Sequence, residues 1–210
     1  MTKHKFFIDY SKEEAWLRGM AVKGWLFTAR TSFGYRFAQA QPSEQNYRID
    51  YRAFKSRTDF TDYITLFADS GWQHVAGSKN SGAQYFVQAA PDADEDIFSD
   101  SASRAGRYRR SSEVWLSLLM CYSVLFTGVA STGAIEIAHI FNFKALYYTP
   151  GLWQMSGFSF WRAFLFETPF ALGRGFSWLL LLIMIGVFLF MAIKTMLAAK
   201  AENHATNNRT

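Results

Sequence analysis

Two long apolar segments limit most strictly what this chain can fold into. Residues 114–134 contain no charged residue, and residues 176–199 contain only Lys194. Each segment is long enough to cross about 30 Å of hydrocarbon as a helix. The preceding residues, 1–113, have the composition of an ordinary soluble protein. The sequence therefore predicts a soluble domain followed by two transmembrane helices.

The charges beside these segments predict how the chain is oriented. A cluster of arginines precedes the first segment, and Lys194 and Lys200 lie near the end of the second. The region between them has only three basic residues, and the N-terminus lacks the continuous apolar stretch of a signal peptide. The positive-inside rule then places both termini in the cytoplasm and the helices in a bacterial inner membrane.

Several residues are expected at the membrane interface, where basic and tryptophan side chains are enriched. Lys194 can extend its ammonium group towards water from the end of the second segment. The complete set is Arg104, Arg107, Arg109, Arg110, Trp115, Trp178 and Lys194. The lipid bilayer is therefore one expected partner of the chain.

The organisation along the chain follows from these segments. We expect a soluble domain at 1–91, a charged stalk at 92–113, helices at 114–134 and 176–199, and a cytoplasmic tail at 200–210. The aromatic loop at 135–175 is expected outside the cytoplasm. Within it, residues 155–172 carry Arg162 and Glu167, which are costly at the centre of a bilayer, so a third span is disfavoured. An interfacial helix, a re-entrant helix and a segment docked on a partner remain open.

The soluble part contains an internal repeat. "FFIDY" at residues 6–10 returns as "YRIDY" at 47–51, and each copy is followed by a Gly-Trp pair and a Gln-Ala stretch. Each copy predicts a strand, a helix and a hairpin, with the helices capped by Ser11 and Asp59 and ended by Gly24 and Gly71. The expected fold is a cytoplasmic α+β domain, a duplicated β-α-β-β unit with one antiparallel sheet and both helices on one face.

Asp9, Asp50 and Arg48 are the candidate ligand-binding residues. The alternation of the predicted strands places them on the side of the sheet that the helices leave uncovered. Paired carboxylates there could bind a cation or perform acid–base chemistry. The alternative is a solvated sheet face on which Asp50 and Arg48 form a weak pair.

Other chemistry finds little support in the sequence. Residues 1–100 carry 12 basic and 13 acidic residues, so no basic patch predicts nucleic-acid binding. Cys121 is the single cysteine, and "GSKNSG" at 77–82 lacks the Lys-Ser/Thr ending of a phosphate loop. Glu136 and His139 have helical metal-site spacing, but the other ligands of such sites are missing. We therefore expect no catalytic residue, no metal and no cofactor.

Five stretches carry a resemblance to a known family: "FFIDY…EEAWLRGMAVKGWLF", "YRIDY", "LFADSGWQHV", "QYFVQAA" and "IFSDSASRAGRYRR". Over residues 5–110 the chain resembles the bacterial family called domain of unknown function 2812. The resemblance implies a soluble module placed before membrane helices. It also implies a genomic neighbourhood with PadR-type regulators, and hence a role in envelope or stress response. It assigns no catalytic or binding residue.

Three functions follow as expectations. The first is a membrane-anchored cytoplasmic module for sensing, regulation or protein binding, with another membrane or cytoplasmic protein as its partner. The second is a subunit of a membrane transporter or immunity complex, docked through the aromatic loop. The third is an enzyme that uses the sheet face with Asp9 and Asp50.

Overall fold

The computed structural model describes residues 1–132 and 142–207, and its side chains are described except at 174–177 and 205–207. The chain forms two compact units. The first unit comprises Met1–Val114 and Met191–Thr210, and the second comprises Trp115–Phe190. The strands are β1 (Thr2–Lys3), β2 (Trp25–Thr31), β3 (Gly34–Gln39), β4 (Tyr47–Tyr51), β5 (Trp72–Ala76) and β6 (Ala83–Gln88), and the α-helices are α1 (Tyr10–Val22), α2 (Arg57–Asp69), α3 (Ser101–Ser131) and α4 (Gly157–Asn207).

The fold of the first unit is α+β, with two antiparallel three-stranded sheets. The strand orders are β1-β3-β2 and β4-β6-β5, so the single continuous sheet predicted from the repeat is wrong. Both predicted hairpins are confirmed, and each has a bulge three residues after its tryptophan, at Thr28 and at Val75. The two sheets therefore share their strand order, while β2 and β5 remain edge strands of separate ladders.

The two copies of the Ile-Asp-Tyr motif adopt different structures. In the first copy Asp9 precedes α1 and its carboxylate accepts hydrogen bonds from the N–H groups of Ser11 and Lys12. Asp9 is therefore the N-cap of α1, and the predicted strand and the predicted Ser11 cap are wrong. In the second copy the motif lies inside strand β4. A five-residue segment after β4 delays the start of α2, whereas α1 begins directly at Tyr10.

The ends of the two short helices follow from local chemistry. The hydroxyl of Ser56 accepts a hydrogen bond from the N–H of Asp59, so Ser56 and not Asp59 caps α2. Gly24 and Gly71 have φ values of 79° and 80°, which confirms both predicted helix ends. A left-handed residue just after a helix is most favourable as glycine, because it has no Cβ to clash with the backbone.

The core of the first unit lies on both faces of the second sheet. Tyr85 belongs to a buried cluster with Leu17 of α1, whereas Phe86 packs with Tyr63 of α2. Successive residues of a strand point to opposite faces, so α1 and α2 cover opposite faces of this sheet. The prediction of both helices on one face is therefore wrong, and the face that was expected to be open is covered by α2.

Helices α3 and α4 are long and apolar enough to cross a membrane, judged by length and composition alone. Helix α3 begins at Ser101, inside the predicted stalk, and its first turn is capped by Asp100, whose carboxylate accepts from the N–H of Ser103 at 2.6 Å. The predicted helix within 155–172 is the N-terminal part of α4. Residues 133–134 of the first predicted span and 208–210 of the predicted tail lie outside the described residues.

The C-terminal part of α4 belongs to the first unit. Met191, Ala192 and Thr195 are buried there, and Ala198 and Ala199 pack against the main core. On the other side of the same segment, the large apolar side chains of Ile193, Met196 and Leu197 are exposed.

Within the second unit, Glu167 ties the loop before α4 to the helix. Its carboxylate accepts hydrogen bonds from the N–H groups of Tyr148 and Thr149 and from the hydroxyl of Thr149. Tyr147 stacks on Phe164 with ring centroids 5.2 Å apart. The acidic residue that argued against a third span is thus buried and hydrogen-bonded.

Candidate functional site

Strand β4 pairs with β6 along one edge, and its other edge is covered by side chains instead of by another strand. Arg107 donates a hydrogen bond to the carbonyl of Ile49 at 2.9 Å, and Arg110 donates to the carbonyl of Tyr51 at 2.5 Å. The N–H of Ile49 donates to Glu14 at 3.0 Å. Edge strands need such cover, because their outward N–H and C=O groups otherwise pair with foreign strands. Helix α3 is therefore docked on β4 by its arginines.

Three residues of α3, here called the docking motif, also contact both Ile-Asp-Tyr copies: Arg107, Tyr108 and Arg110. The hydroxyl of Tyr108 donates to the carboxylate of Asp9 at 3.2 Å. Arg110 binds one oxygen of Asp50 at 2.5 Å. Both aspartates that the sequence singled out are therefore partners of α3.

The predicted ligand site on an open sheet face is not assembled. Asp50 is buried, and its second oxygen accepts a hydrogen bond from the hydroxyl of Tyr63 in α2 at 2.8 Å. Arg48 pairs with Asp96 at 3.3 Å instead of with Asp50. The prediction failed because α2 covers this face and because α3, distant in the sequence, supplies the cation.

Arg107 lies at the centre of the docked arrangement. Its side chain is 1 % exposed and bonds Glu14 at 2.5 Å and the hydroxyl of Ser11 at 3.2 Å. Glu202 of α4 lies 3.8 Å away. Its guanidinium also lies near three aromatic rings, those of Tyr10, Phe98 and Tyr108, at 5.2–5.4 Å. One guanidinium thus joins α1, β4 and the C-terminal part of α4.

A polar cavity of about 420 Å³ opens beside Arg107. It is lined by three arginines and four acidic residues, together with one serine and one phenylalanine: Arg48, Arg104, Arg107, Glu14, Glu95, Asp96, Glu202, Ser11 and Phe98. Asp96 bridges two of the arginines, with its oxygens 3.3 Å from Arg48 and 2.5 Å from Arg104. We call this space the arginine cavity. Its lining comes from α1, β4, α3, α4 and the segment before α3.

A second buried carboxylate, Glu13, holds the core beneath the sheets. Its Oε1 accepts hydrogen bonds from the hydroxyls of Tyr35 at 2.6 Å and Tyr85 at 2.8 Å and from Arg30 at 3.3 Å. Burial raises the pKa of Glu13 above its ordinary value, against the opposing effect of these donors. Burial also raises the pKa of Glu14, although Arg107 favours its ionised form. Both carboxylates have protein partners and act as structural groups.

The expected membrane-interface residues occupy several environments. Arg109 is exposed and lies 3.7 Å from Glu113, one turn further along α3. Arg107 is buried and paired with Glu14, and Arg104 and Arg110 are ion-paired within the first unit. In the second unit Trp115 stacks on Phe188 with centroids 6.1 Å apart, and Trp178 is half-buried. Lys194 is exposed in the first unit.

Sequence reasoning missed Glu14, Tyr108 and Glu202 as members of this site. The signal that could have found Glu14 is its position one turn before the buried Leu17 of α1. Glu136 and His139 lie outside the described residues. Within residues 1–132 and 142–207, no group of three His, Cys, Asp or Glu side chains is arranged to hold a metal ion.

Comparison with known proteins gives one match. No curated protein matches this sequence, and no solved structure matches it. Residues 9–120 match the family model described as "Protein of unknown function (DUF2812)", which covers just over half of the 210-residue chain. This range contains the docking motif, Asp9 and Tyr10 of the first Ile-Asp-Tyr copy, the whole second copy, and every residue of the arginine cavity except Glu202. The chain belongs to the DUF2812 family.

Proposed function

We propose that this protein is a membrane-anchored regulatory module. Its α+β unit binds a cytoplasmic signal or partner and passes the change to its two membrane helices. The observation that carries the proposal is the docking motif. The same helix, α3, covers the edge of β4 with Arg107 and Arg110 and then continues into an apolar segment.

The second membrane helix is held at the same place. Glu202 of α4 lies near Arg107 and accepts a hydrogen bond from Ser11 at 3.5 Å, and Ala198 and Ala199 pack on the core. A change at the arginine cavity therefore acts on the ends of both helices. Such coupling needs two arrangements of a packed element, and the ion-paired cavity is where they would differ.

The proposed location is a bacterial inner membrane with both termini in the cytoplasm. The basic residues before α3 and after the apolar part of α4 support this orientation. Reporter fusions at residue 150 and at the C-terminus test it: the C-terminal fusion is expected to report cytoplasm and the loop fusion the opposite side. Cytoplasmic signals from both fusions would contradict the proposal.

We also propose that the two sheets arose by duplication. Their identical strand order, the left-handed glycines at 24 and 71 and the equivalent bulges at Thr28 and Val75 support it. The duplication explains why one helix, α3, contacts both Ile-Asp-Tyr copies.

A second candidate, a subunit of a larger membrane complex, is supported by the N-terminal part of α4. Large apolar side chains are exposed there, at Phe158, Trp161, Phe166 and Phe170. Lipid or another membrane protein would cover them. The enzyme hypothesis loses its original basis, because Asp9 caps α1 and Asp50 is paired with Arg110 and Tyr63.

The regulatory proposal is tested by quantitative cross-linking and pull-down from native membranes with the full-length chain. The matched variants are Arg110→Gln, which weakens the docking of α3, and Arg109→Gln, which removes an exposed charge. We expect a partner whose recovery changes with Arg110→Gln and not with Arg109→Gln. If the wild-type protein and both variants recover every bound protein in equal amounts, the proposal is contradicted.

A further inference from the structure

Asp96 occupies a position that suits an anionic ligand. One carboxylate oxygen lies 3.3 Å from Nε of Arg48 and the other lies 2.5 Å from Nη2 of Arg104. Two guanidinium groups that converge on separate oxygens of one anion form the arrangement with which arginines bind phosphate groups. Asp96 is supplied by the segment between β6 and α3, which contains no strand or helix before Ser101.

At this position two arginines share one carboxylate, and a third arginine has a donor without a partner. Arg48 and Arg104 share the single charge of Asp96, and Glu14 is the nearer carboxylate to Arg107. Nε of Arg107 is buried and has no hydrogen-bond partner among residues 1–132 and 142–207. A buried donor without a partner is uncommon and costly, which makes a ligand or water here favourable.

The remaining part of the cavity presents acceptors. No hydrogen bond or ion pair is formed by the Glu95 carboxylate within the described part of the chain. The carboxylate of Glu202 makes only long contacts, at 3.5 Å with Ser11 and 3.8 Å with Arg107. Such groups accept hydrogen bonds from hydroxyl or amino groups, and they disfavour a second anionic group.

The geometry points to a binding site in the arginine cavity for a small phosphate monoester that carries hydroxyl or amino groups. Its phosphate replaces the carboxylate of Asp96 between Arg48 and Arg104, and its hydroxyl or amino groups meet Glu95 and Glu202. A dianionic phosphate offers these two arginines one more negative charge and one more acceptor oxygen than the carboxylate of Asp96 does. The cavity volume of about 420 Å³ is within the range of small-molecule sites.

The phosphate monoester is then the signal of the proposed regulatory module. Its binding to the cavity does not depend on that function, but the effect of binding on the membrane helices does. Displacement of Asp96 breaks its ion pairs with Arg48 in β4 and with Arg104 in α3. The segment of residues 92–100 then loses a tie to α3, while the contacts of Arg107 and Arg110 with β4 remain. Phosphate binding is thereby linked to the start of the first membrane helix.

The test is isothermal titration calorimetry, in which the full-length protein in lipid nanodiscs is titrated with ribose 5-phosphate, inorganic phosphate or ribose. We expect saturable binding of ribose 5-phosphate, weaker binding of phosphate and none of ribose. Asp96→Asn removes the internal competitor and is expected to tighten binding about tenfold, and Arg48→Gln is expected to weaken it about tenfold, each equal to roughly 1.4 kcal/mol. Asp94→Asn, on the same segment and with the same charge change, is the matched control and should leave binding unchanged.

Thermal unfolding of each variant shows that it is folded before titration. Absence of saturable binding by both the wild-type protein and Asp96→Asn would overturn the inference. Equal tightening by Asp94→Asn and Asp96→Asn would also overturn it, because bulk charge and not the bridge would then be responsible. The inference would also be overturned if ribose bound as tightly as ribose 5-phosphate. These outcomes are independent of the partner pull-down, so failure of the site is distinguishable from failure of the regulatory function.

Discussion

At the scale of single residues, the central feature is a charge that the sequence placed at the membrane and the structure buries in protein. A buried arginine is favourable only when its charge and donors are satisfied. Arg107 has Glu14, the carbonyl of Ile49 and the hydroxyl of Ser11 as partners. These partners lie 58 to 96 residues away in the sequence, which is why composition near the apolar segment could not reveal them.

Replacement of this arginine should cost much more than replacement of its exposed neighbour. Arg107→Gln leaves the Glu14 carboxylate buried without its cation, and we expect a loss of about 3–5 kcal/mol in the free energy of unfolding. Arg109→Gln should change it by less than about 0.5 kcal/mol. Denaturant unfolding of the full-length protein in detergent measures both. Similar values for the two variants would contradict the buried position of Arg107.

The buried carboxyl of Glu13 predicts a pH dependence of stability. Its pKa is raised above 4.5 in the folded state, so the folded protein holds this proton more tightly than the unfolded chain. Stability is therefore lost as the pH rises from about 4.5 through the raised folded-state pKa. Glu13→Gln keeps an acceptor for Tyr35 and Tyr85 and cannot ionise.

The stability of Glu13→Gln relative to wild type should thus increase with pH across that window. Unfolding measured over the same pH range checks it, with Glu44→Gln as the control at an exposed position. Glu14 is present in all three proteins, so only its electrostatic coupling to Glu13 differs between them. A relative stability that is flat or decreases with pH would show that Glu13 does not carry the effect.

At the scale of elements, one short motif has two structural roles. Asp9 caps α1 at a half-buried position, whereas Asp50 is buried in β4 between Arg110 and Tyr63. The identical letters could not distinguish these roles, because the difference arises from the five residues between β4 and α2 and from the docking of α3.

The two aspartates should therefore respond differently to substitution. Asp9→Ala removes a helix cap and should cost about 1 kcal/mol. Asp50→Ala leaves a buried tyrosine hydroxyl and an arginine without their acceptor and should cost about 2–4 kcal/mol. Circular dichroism during denaturation compares the two. A larger loss for Asp9→Ala would contradict the assignment of roles.

The sequence was informative where the cause of structure is local. The left-handed glycines at 24 and 71 and both hairpins could be predicted, since turn chemistry acts over a few residues. The number of sheets, the face covered by α2 and the partners of Asp50 depend on contacts between distant elements. The arginine cavity was not predicted for the same reason, since it combines residues from position 11 to position 202.

At the scale of the whole molecule, the account depends on one arrangement within the first unit. The start of α1 and the C-terminal part of α4 meet beside Arg107, so these two elements are held together at the docking motif. A regulatory module of this kind needs that contact, because through it the α+β unit acts on the second membrane helix as well as on the first.

The most direct test is cysteine cross-linking in native membranes. The protein carries Ser11→Cys and Glu202→Cys in a Cys121→Ser background and is treated with a short bismaleimide, and the digested monomer band is analysed by mass spectrometry. We predict a peptide that links the start of α1 to the end of α4 and that disappears when the membranes are denatured before treatment. If both cysteines react singly with a monofunctional maleimide and no linked peptide forms, the docked arrangement is contradicted.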